Sequence, residues 1–185
     1  QSLAAVRSNL TKGGLPNLEA VRNDCLQLVD ESIANVRELS QLLRPVILDD
    51  FGLDAGLRWL VEKFAQRTQL EVEFTATGVG RYADETETHL FRIAQEALTN
   101  VARHSGARRV RVALTADANE IRLLIEDDGR GLPPPDETGI ARPSLGMVGM
   151  RARARQSGGE LRTQPLEPRG LRIEVSVPAR RRLEE

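Results

Sequence analysis

The hydrophobic period of this chain changes near residue 68. Before that point apolar residues step by three and four. Beyond it, runs that alternate every second residue are separated by stretches that step by three and four again. A period near 3.6 reads as helix and a period of two as a half-buried strand. The chain therefore has a helical first part, residues 1–68, and a second part, residues 69–179, in which strands and helices must share one core. In the second part Leu70, Val72, Phe74 and Ala76 alternate with Glu71, Glu73, Thr75 and Thr77. Val110, Val112 and Leu114 form a second alternating run, and Ile121, Leu123 and Ile125 a third, with Ala116 to Asn119 as a hairpin between them. A last hairpin has strands near 160–164 and 171–177. Two helices are predicted among these strands. One covers about 85–104, opened by Asp84 and Glu87 as a capping box and closed by Gly106. The other covers about 146–156 and ends at Gly158-Gly159. The sum is an α+β sandwich, a mostly antiparallel mixed sheet backed by helices on one face.

The first part reads as a helical hairpin followed by a connector and a further helix. Leu3, Val6 and Leu10 mark a helix over 1–11, Lys12 to Asn17 a turn, and Leu18 to Arg44 a long helix stopped by Pro45. Two apolar seams run along the long helix. One is Leu18, Val21, Cys25, Leu28, Leu39 and Leu42, and the other is Leu26, Val29, Ile33, Val36 and Leu43. The first helix covers one seam. The other is covered either by the globular part of the same chain or by a second copy, closing a two-fold four-helix bundle, and the dimer is favoured. Val46 to Gly52 is predicted as a connector, and 53–67 as a helix with Leu53, Leu57, Leu60, Val61 and Phe64 on one stripe. Gln1 stands inside helical sequence with no N-cap, so the hairpin is expected to be cut short at its start. The expected boundary divides residues 1–48 from an independent domain at 49–180.

Composition removes several function classes. The 26 basic and 27 acidic residues leave a net charge of −1, which provides no field for nucleic acid or an acidic membrane. Aromatics are only 3% of the chain, too few for a platform that stacks single-stranded bases. A single cysteine, Cys25, excludes an internal disulfide and a multi-cysteine zinc site, and two histidines are too few for a histidine-built metal centre. No apolar run reaches the roughly 18 residues that a membrane span needs, and residues 1–10 carry no secretory signal pattern.

Three polar clusters can carry chemistry. Glu96, Asn100 and His104 fall at i, i+4 and i+8 of the predicted 85–104 helix, opposite Leu90, Ala94, Ala97, Leu98 and Val101. An acid, an amide and an imidazole on one face can hold hydrated Mg2+ and phosphates, or can simply be a solvated face. Asp127-Asp128-Gly129-Arg130-Gly131 ends an alternating strand and opens a Gly/Pro-rich loop, residues 128–144. A carboxylate there can accept from an exocyclic amine such as that of adenine, and the alternative is a polar turn. Leu145 to Arg151 opens a helix with Gly146 and Gly149, where unpaired N–H groups attract phosphate or where the chain hinges. The chain has no Walker-type GxxxxGK[ST] run and no GxGxxG after a strand, which disfavours the P-loop and dinucleotide folds.

The order of these clusters is more specific than any one of them. Phe91 to His104, FRIAQEALTNVARH, closely resembles the N-box of two-component sensor histidine kinases. Asp127 to Gly131 resembles their G1 box and Gly146 to Arg151 their G2 box. The LSQLLRPVILDDFG stretch from Leu39 to Gly52 is similar to the link between dimerisation and catalytic domains in the subfamily of nitrate/nitrite and membrane-fluidity sensors. The resemblance covers nearly the whole chain. It implies a GHKL-type ATP-binding domain after a helical dimerisation and phosphotransfer hairpin. It implies ATP and Mg2+ as cofactors, a homodimer through the hairpin, a response regulator as partner, and a cytoplasmic portion of a parent anchored in the bacterial membrane. By this resemblance Asn100 ligates Mg2+, and Glu96 positions a metal-bound water or assists proton transfer. Arg103 and His104 lie near the phosphates, Asp127 reads the adenine amine, and Gly129 and Gly131 shape the pocket. Gly146, Met147, Gly149 and Met150 line the triphosphate side under a mobile lid. Gln1 corresponds to the glutamine that orients water during dephosphorylation of the regulator, so the accepting histidine is expected just upstream of it. The family carries Gly-Thr before its final strand where this chain has Gly170-Leu171, so the threonine hydroxyl is missing. Two other readings remain: a non-catalytic dimerisation module with a degenerate ATP fold, and an ATPase of the chaperone or mismatch-repair type.

Overall fold

The computed structural model describes residues 45–78, 80–132 and 144–181. They belong to a compact unit, Pro45–Glu185. The predicted hairpin, its two seams, Gln1 and most of the predicted lid lie outside the described residues. The elements are α1 (Val46–Thr68), β1 (Glu71–Thr77), α2 (Asp84–Asn100), a π-helical turn (Val101–Ser105), β2 (Arg109–Ala116), β3 (Glu120–Asp127), α3 (Leu145–Gln156), β4 (Glu160–Pro165) and β5 (Leu171–Pro178).

The five strands form one sheet in the order β1-β2-β3-β5-β4. β1 runs parallel to β2, and every other neighbouring pair is antiparallel. The parallel pair follows from α2: this helix and the π turn lie between β1 and β2 in sequence, so the chain returns to the same end of the sheet before β2 begins. The alternation sorts side chains by face. Val110, Val112 and Leu114 of β2, Ile121, Leu123 and Ile125 of β3, and Ile173, Val175 and Val177 of β5 are buried. They meet Leu53, Leu57, Val61 and Phe64 of α1, Leu90, Ile93, Ala97 and Leu98 of α2, and Met150 and Ala154 of α3 in one cluster. The other face carries charge in alternating sign across the strands. Glu71 pairs with Arg109 at 3.0 Å, Glu126 with Arg111 at 3.8 Å and with Arg172 at 2.5 Å, and Arg122 with Glu174 at 3.2 Å. Cross-strand pairs of opposite sign keep an exposed sheet face in register and in water.

Two local expectations change. The segment Val46–Phe51, expected as a connector, is a helical turn, and α1 kinks after it at Gly52, where φ is 76°. The turn survives because Arg81 satisfies its end: Nη2 donates to Leu48 O at 3.0 Å and to Asp49 O at 3.1 Å. The capping box at α2 is also only half made. Ala83, not Asp84, occupies the N-cap and offers no side-chain bond. Glu87 still reaches back, its buried carboxylate accepting from Tyr82 N at 3.0 Å and pairing with Arg81 Nε at 3.3 Å. Among the described residues no helix is long and apolar enough to cross a membrane.

Candidate functional site

α2 commits one face to the core, so its remaining polar residues face elsewhere. Leu90, Ala94, Ala97 and Leu98 are buried, while Glu96 and Asn100, one turn apart, are half-buried on the flank. Neither side chain makes a hydrogen bond among the described residues. A carboxylate and a carboxamide on one stripe are thus left open to solvent or to a ligand. The first turn of α3 approaches them. A β-carbon on Gly146 would fall 2.0 Å from Glu96 Oε1 and 3.5 Å from Asn100 Nδ2. Only a residue with no side chain allows that approach. Ser144 caps the helix, its Oγ accepting from Met147 N at 3.3 Å, and the first intrahelical bond is Val148 N to Ser144 O at 3.0 Å. The earliest N–H groups of α3 thus open onto the space beside Glu96 and Asn100, where a helix N-terminus favours negative charge.

The second group lies where β3 ends. Asp127 is 7% exposed, and among the described residues its carboxylate takes one hydrogen bond, from Gly129 N to Oδ1 at 2.8 Å. Burial pushes this carboxyl above its ordinary value, against the smaller opposing effect of the Gly129 N–H. Its neighbour does the reverse. Asp128 Oδ1 accepts from Arg108 N at 2.7 Å and Arg109 N at 3.0 Å, and these N–H bonds, that of Arg109 foremost, hold it below its ordinary value. One aspartate is left able to accept a ligand donor and the other is tied into the chain.

The end of α2 is stitched to this turn. The π turn brings Ser105 O to Arg130 N at 2.9 Å, and Ser105 Oγ donates to Val101 O at 2.9 Å while accepting from Ala107 N at 3.0 Å. Gly129 lies against the same residue: a β-carbon there would meet Ser105 O at 2.5 Å. Gly170, at φ 122°, backs Asp127 from the other side, where a β-carbon would lie 2.1 Å from Asp127 O. Gly131 faces Gly170 in turn, with its β-carbon position 3.2 Å from Gly170 O.

The structure thus gathers Glu96, Asn100 and Gly146 into one group and Asp127, Gly129 and Gly131 into another. One expectation is corrected, that for Met147 and Met150. Met147 and Met150 are 6% and 0% exposed and belong to the core, so their side chains do not line a pocket. They sit three residues apart on the face that α3 turns to the sheet. Arg103 and His104 lie on the π turn, exposed and without hydrogen bonds among the described residues. The i→i+5 bonding of that turn adds a residue to it. Gly149 is half-buried, with its β-carbon position 3.1 Å from Arg153 Nη1. Sequence reasoning missed Ser105, Gly170 as a backing group, and Ser144 as a cap. Ser144 had a readable signal, a serine three residues before the first buried helical residue. Among the described residues no three or more His, Cys, Asp or Glu side chains cluster as a metal site.

Comparison with known proteins identifies the family. The profile of the family described as "Histidine kinase-, DNA gyrase B-, and HSP90-like ATPase" matches residues 85–181. The chain is 35% identical over 158 residues to the signal transduction histidine-protein kinase/phosphatase DegS of Brevibacillus brevis, covering 84% of this chain and 40% of that protein. It is 36% identical over 155 residues to the sensor histidine kinase LiaS of Bacillus subtilis (strain 168), covering 82% and 41%. The chain thus spans about two fifths of the length of these curated relatives. A solved structure of the histidine kinase AdeS of Acinetobacter baumannii shares the fold, with a TM-score of 0.62 at 17% identity over 96% of this chain and 93% of that one. The matched profile begins with the helix that bears Glu96 and Asn100 and runs through Asp127, Gly146 and Gly170, and the chain belongs to the histidine kinase-, DNA gyrase B- and HSP90-like ATPase family, among the sensor histidine kinases.

Proposed function

We propose that this chain is the ATP-binding catalytic core of a two-component sensor histidine kinase, which transfers the γ-phosphate of ATP to a histidine and from there to a response regulator. The observation that carries this reading is the pair of polar groups, Glu96 and Asn100, facing the N-terminus of α3, with Asp127 buried where β3 ends, beside the π turn that follows α2. The donor set fits ATP with Mg2+. Asp127 accepts from the adenine amine through the oxygen that Gly129 leaves open. The α3 N-terminus, made accessible by Gly146, takes phosphate oxygens. Asn100 offers a neutral oxygen to Mg2+, which prefers oxygen ligands and keeps several waters. Bound there, Mg2+ would neutralise charge on the β- and γ-phosphates. Glu96 would position a metal-bound water or assist proton transfer from the accepting imidazole. The protein's contribution is mostly positioning and charge compensation, as phosphoryl transfer requires.

The acceptor histidine is neither of the two in this chain. His89 Nδ1 lies 3.0 Å from Ser157 Oγ in a half-buried niche whose burial lowers its pKa, and His104 is on the π turn that follows the site. The acceptor is instead carried on a helical hairpin of the kind that residues 1–44 predict, with Gln1 in the position that orients water for dephosphorylation and the hairpin pairing two copies. The parent would be anchored in the bacterial cytoplasmic membrane. Labelled ATP tests this. The 185-residue chain alone should gain no acid-labile phosphate, and the full-length parent should gain it and lose it on Asn100→Asp. Labelling of the chain alone, or of the Asn100→Asp parent at the unsubstituted level, would overturn the assignment.

A further inference from the structure

β4 is an edge of the sheet: among the described strands it pairs only with β5. A cavity of about 560 Å³ runs between this edge and α3, with Arg151 and Arg155 on the helix side and Glu160, Leu161 and Arg162 on the strand side. Its charge is one-sided. Glu160 pairs with Arg162, but Arg151 and Arg155 have neither an ion-pair nor a hydrogen-bond partner among the described residues. Arg155 lies in the last turn of α3, where a cation also answers the helix dipole. Arg151 lies a turn earlier and is half-buried, so the dipole does not account for it.

We propose that this groove docks an extended acidic polypeptide segment, added as a further strand along β4, in a role separate from nucleotide binding. The geometry of strand addition suits it. An edge strand offers a row of unpaired N–H and C=O groups, and such a partner gains affinity from main-chain bonds and specificity from alternate side chains. Arg151 and Arg155 are one turn apart, about 6 Å along the helix. Alternate residues of an extended chain are roughly 7 Å apart. Two carboxylates separated by one residue therefore reach both guanidiniums, each in the forked geometry that arginine provides. The opposite edge cannot serve the same partner, because β1 exposes Glu71 and Glu73.

The test uses the whole chain and a fluorescein-labelled hexapeptide of alternating valine and glutamate, read by fluorescence anisotropy. Saturable binding is expected, weakened at least tenfold by replacing the peptide's glutamates with glutamine, by methylating alternate peptide nitrogens, or by Arg155→Glu in a chain whose melting temperature is unchanged. Amide shifts on adding peptide should fall on Glu160–Pro165 and the last two turns of α3. No binding at millimolar peptide, equal binding of the glutamine peptide, equal binding by Arg155→Glu, or shifts centred on β1 would each overturn the proposal.

Discussion

Asp127 and Asp128 are chain neighbours placed in opposite environments, and their titration should separate them. Burial raises the Asp127 carboxyl, so ionising it opposes folding, and the penalty develops as pH rises from the unfolded value to the raised folded one. Backbone N–H bonds lower Asp128, so its contribution is present above the unfolded value and is lost as pH falls through the depressed folded one. Asp128→Asn should therefore destabilise the chain at neutral pH by ~1–2 kcal/mol, the scale of hydrogen bonds to a charged group partly discounted for exposure. The deficit should close in thermal melts as pH falls below the ordinary aspartate value and through the depressed folded one. Asp127→Asn should hold or raise the melting temperature at neutral pH while weakening nucleotide binding by about 10- to 100-fold, since an amide nitrogen would then face the adenine amine. Gly146→Ala tests the other end of the site. Its methyl would land 2.0 Å from Glu96 Oε1, so the expected result is weaker binding of an ATP analogue with a melting temperature equal to or above that of the parent.

The elements differ in how plainly the chain declares them. The strands were legible because one face is buried and the other is charged, and a period of two can be satisfied in only one register. α2 was legible for the same reason at a period of 3.6. The turn Val46–Phe51 was not, because Asp49, Asp50 and Gly52 read as a connector while the residue that holds the turn, Arg81, is remote in sequence. The π turn was not legible either, since an i→i+5 bond leaves no mark in residue type. The resemblance puts Met147 and Met150 on the triphosphate side, whereas Met147, Met150 and Ala154 step as a buried helical face. The π turn carries its own prediction. Ser105→Ala removes both bonds of the Ser105 hydroxyl, and should cost ~1–2 kcal/mol in denaturant unfolding. It should also weaken nucleotide binding, because the Ser105 carbonyl that holds Arg130 N then loses its local support.

At the scale of the molecule, one sheet separates two tasks. Its buried face holds three helices, of which α2 and α3 bring residues to a polar site, and its open face is neutralised by cross-strand ion pairs. The site residues come from α2, the β3 end and the α3 start, so the sandwich must be assembled before any of them can act. The candidate residues at 96, 100, 127, 129, 131 and 146 were readable from sequence because their types are unusual on otherwise regular elements. The most direct check is isothermal titration of the 185-residue chain with a non-hydrolysable ATP analogue and Mg2+, alongside Asn100→Asp and Asp127→Asn. The account predicts saturable binding that falls at least tenfold in each variant, and no binding at millimolar nucleotide, or equal binding in all three proteins, would contradict it.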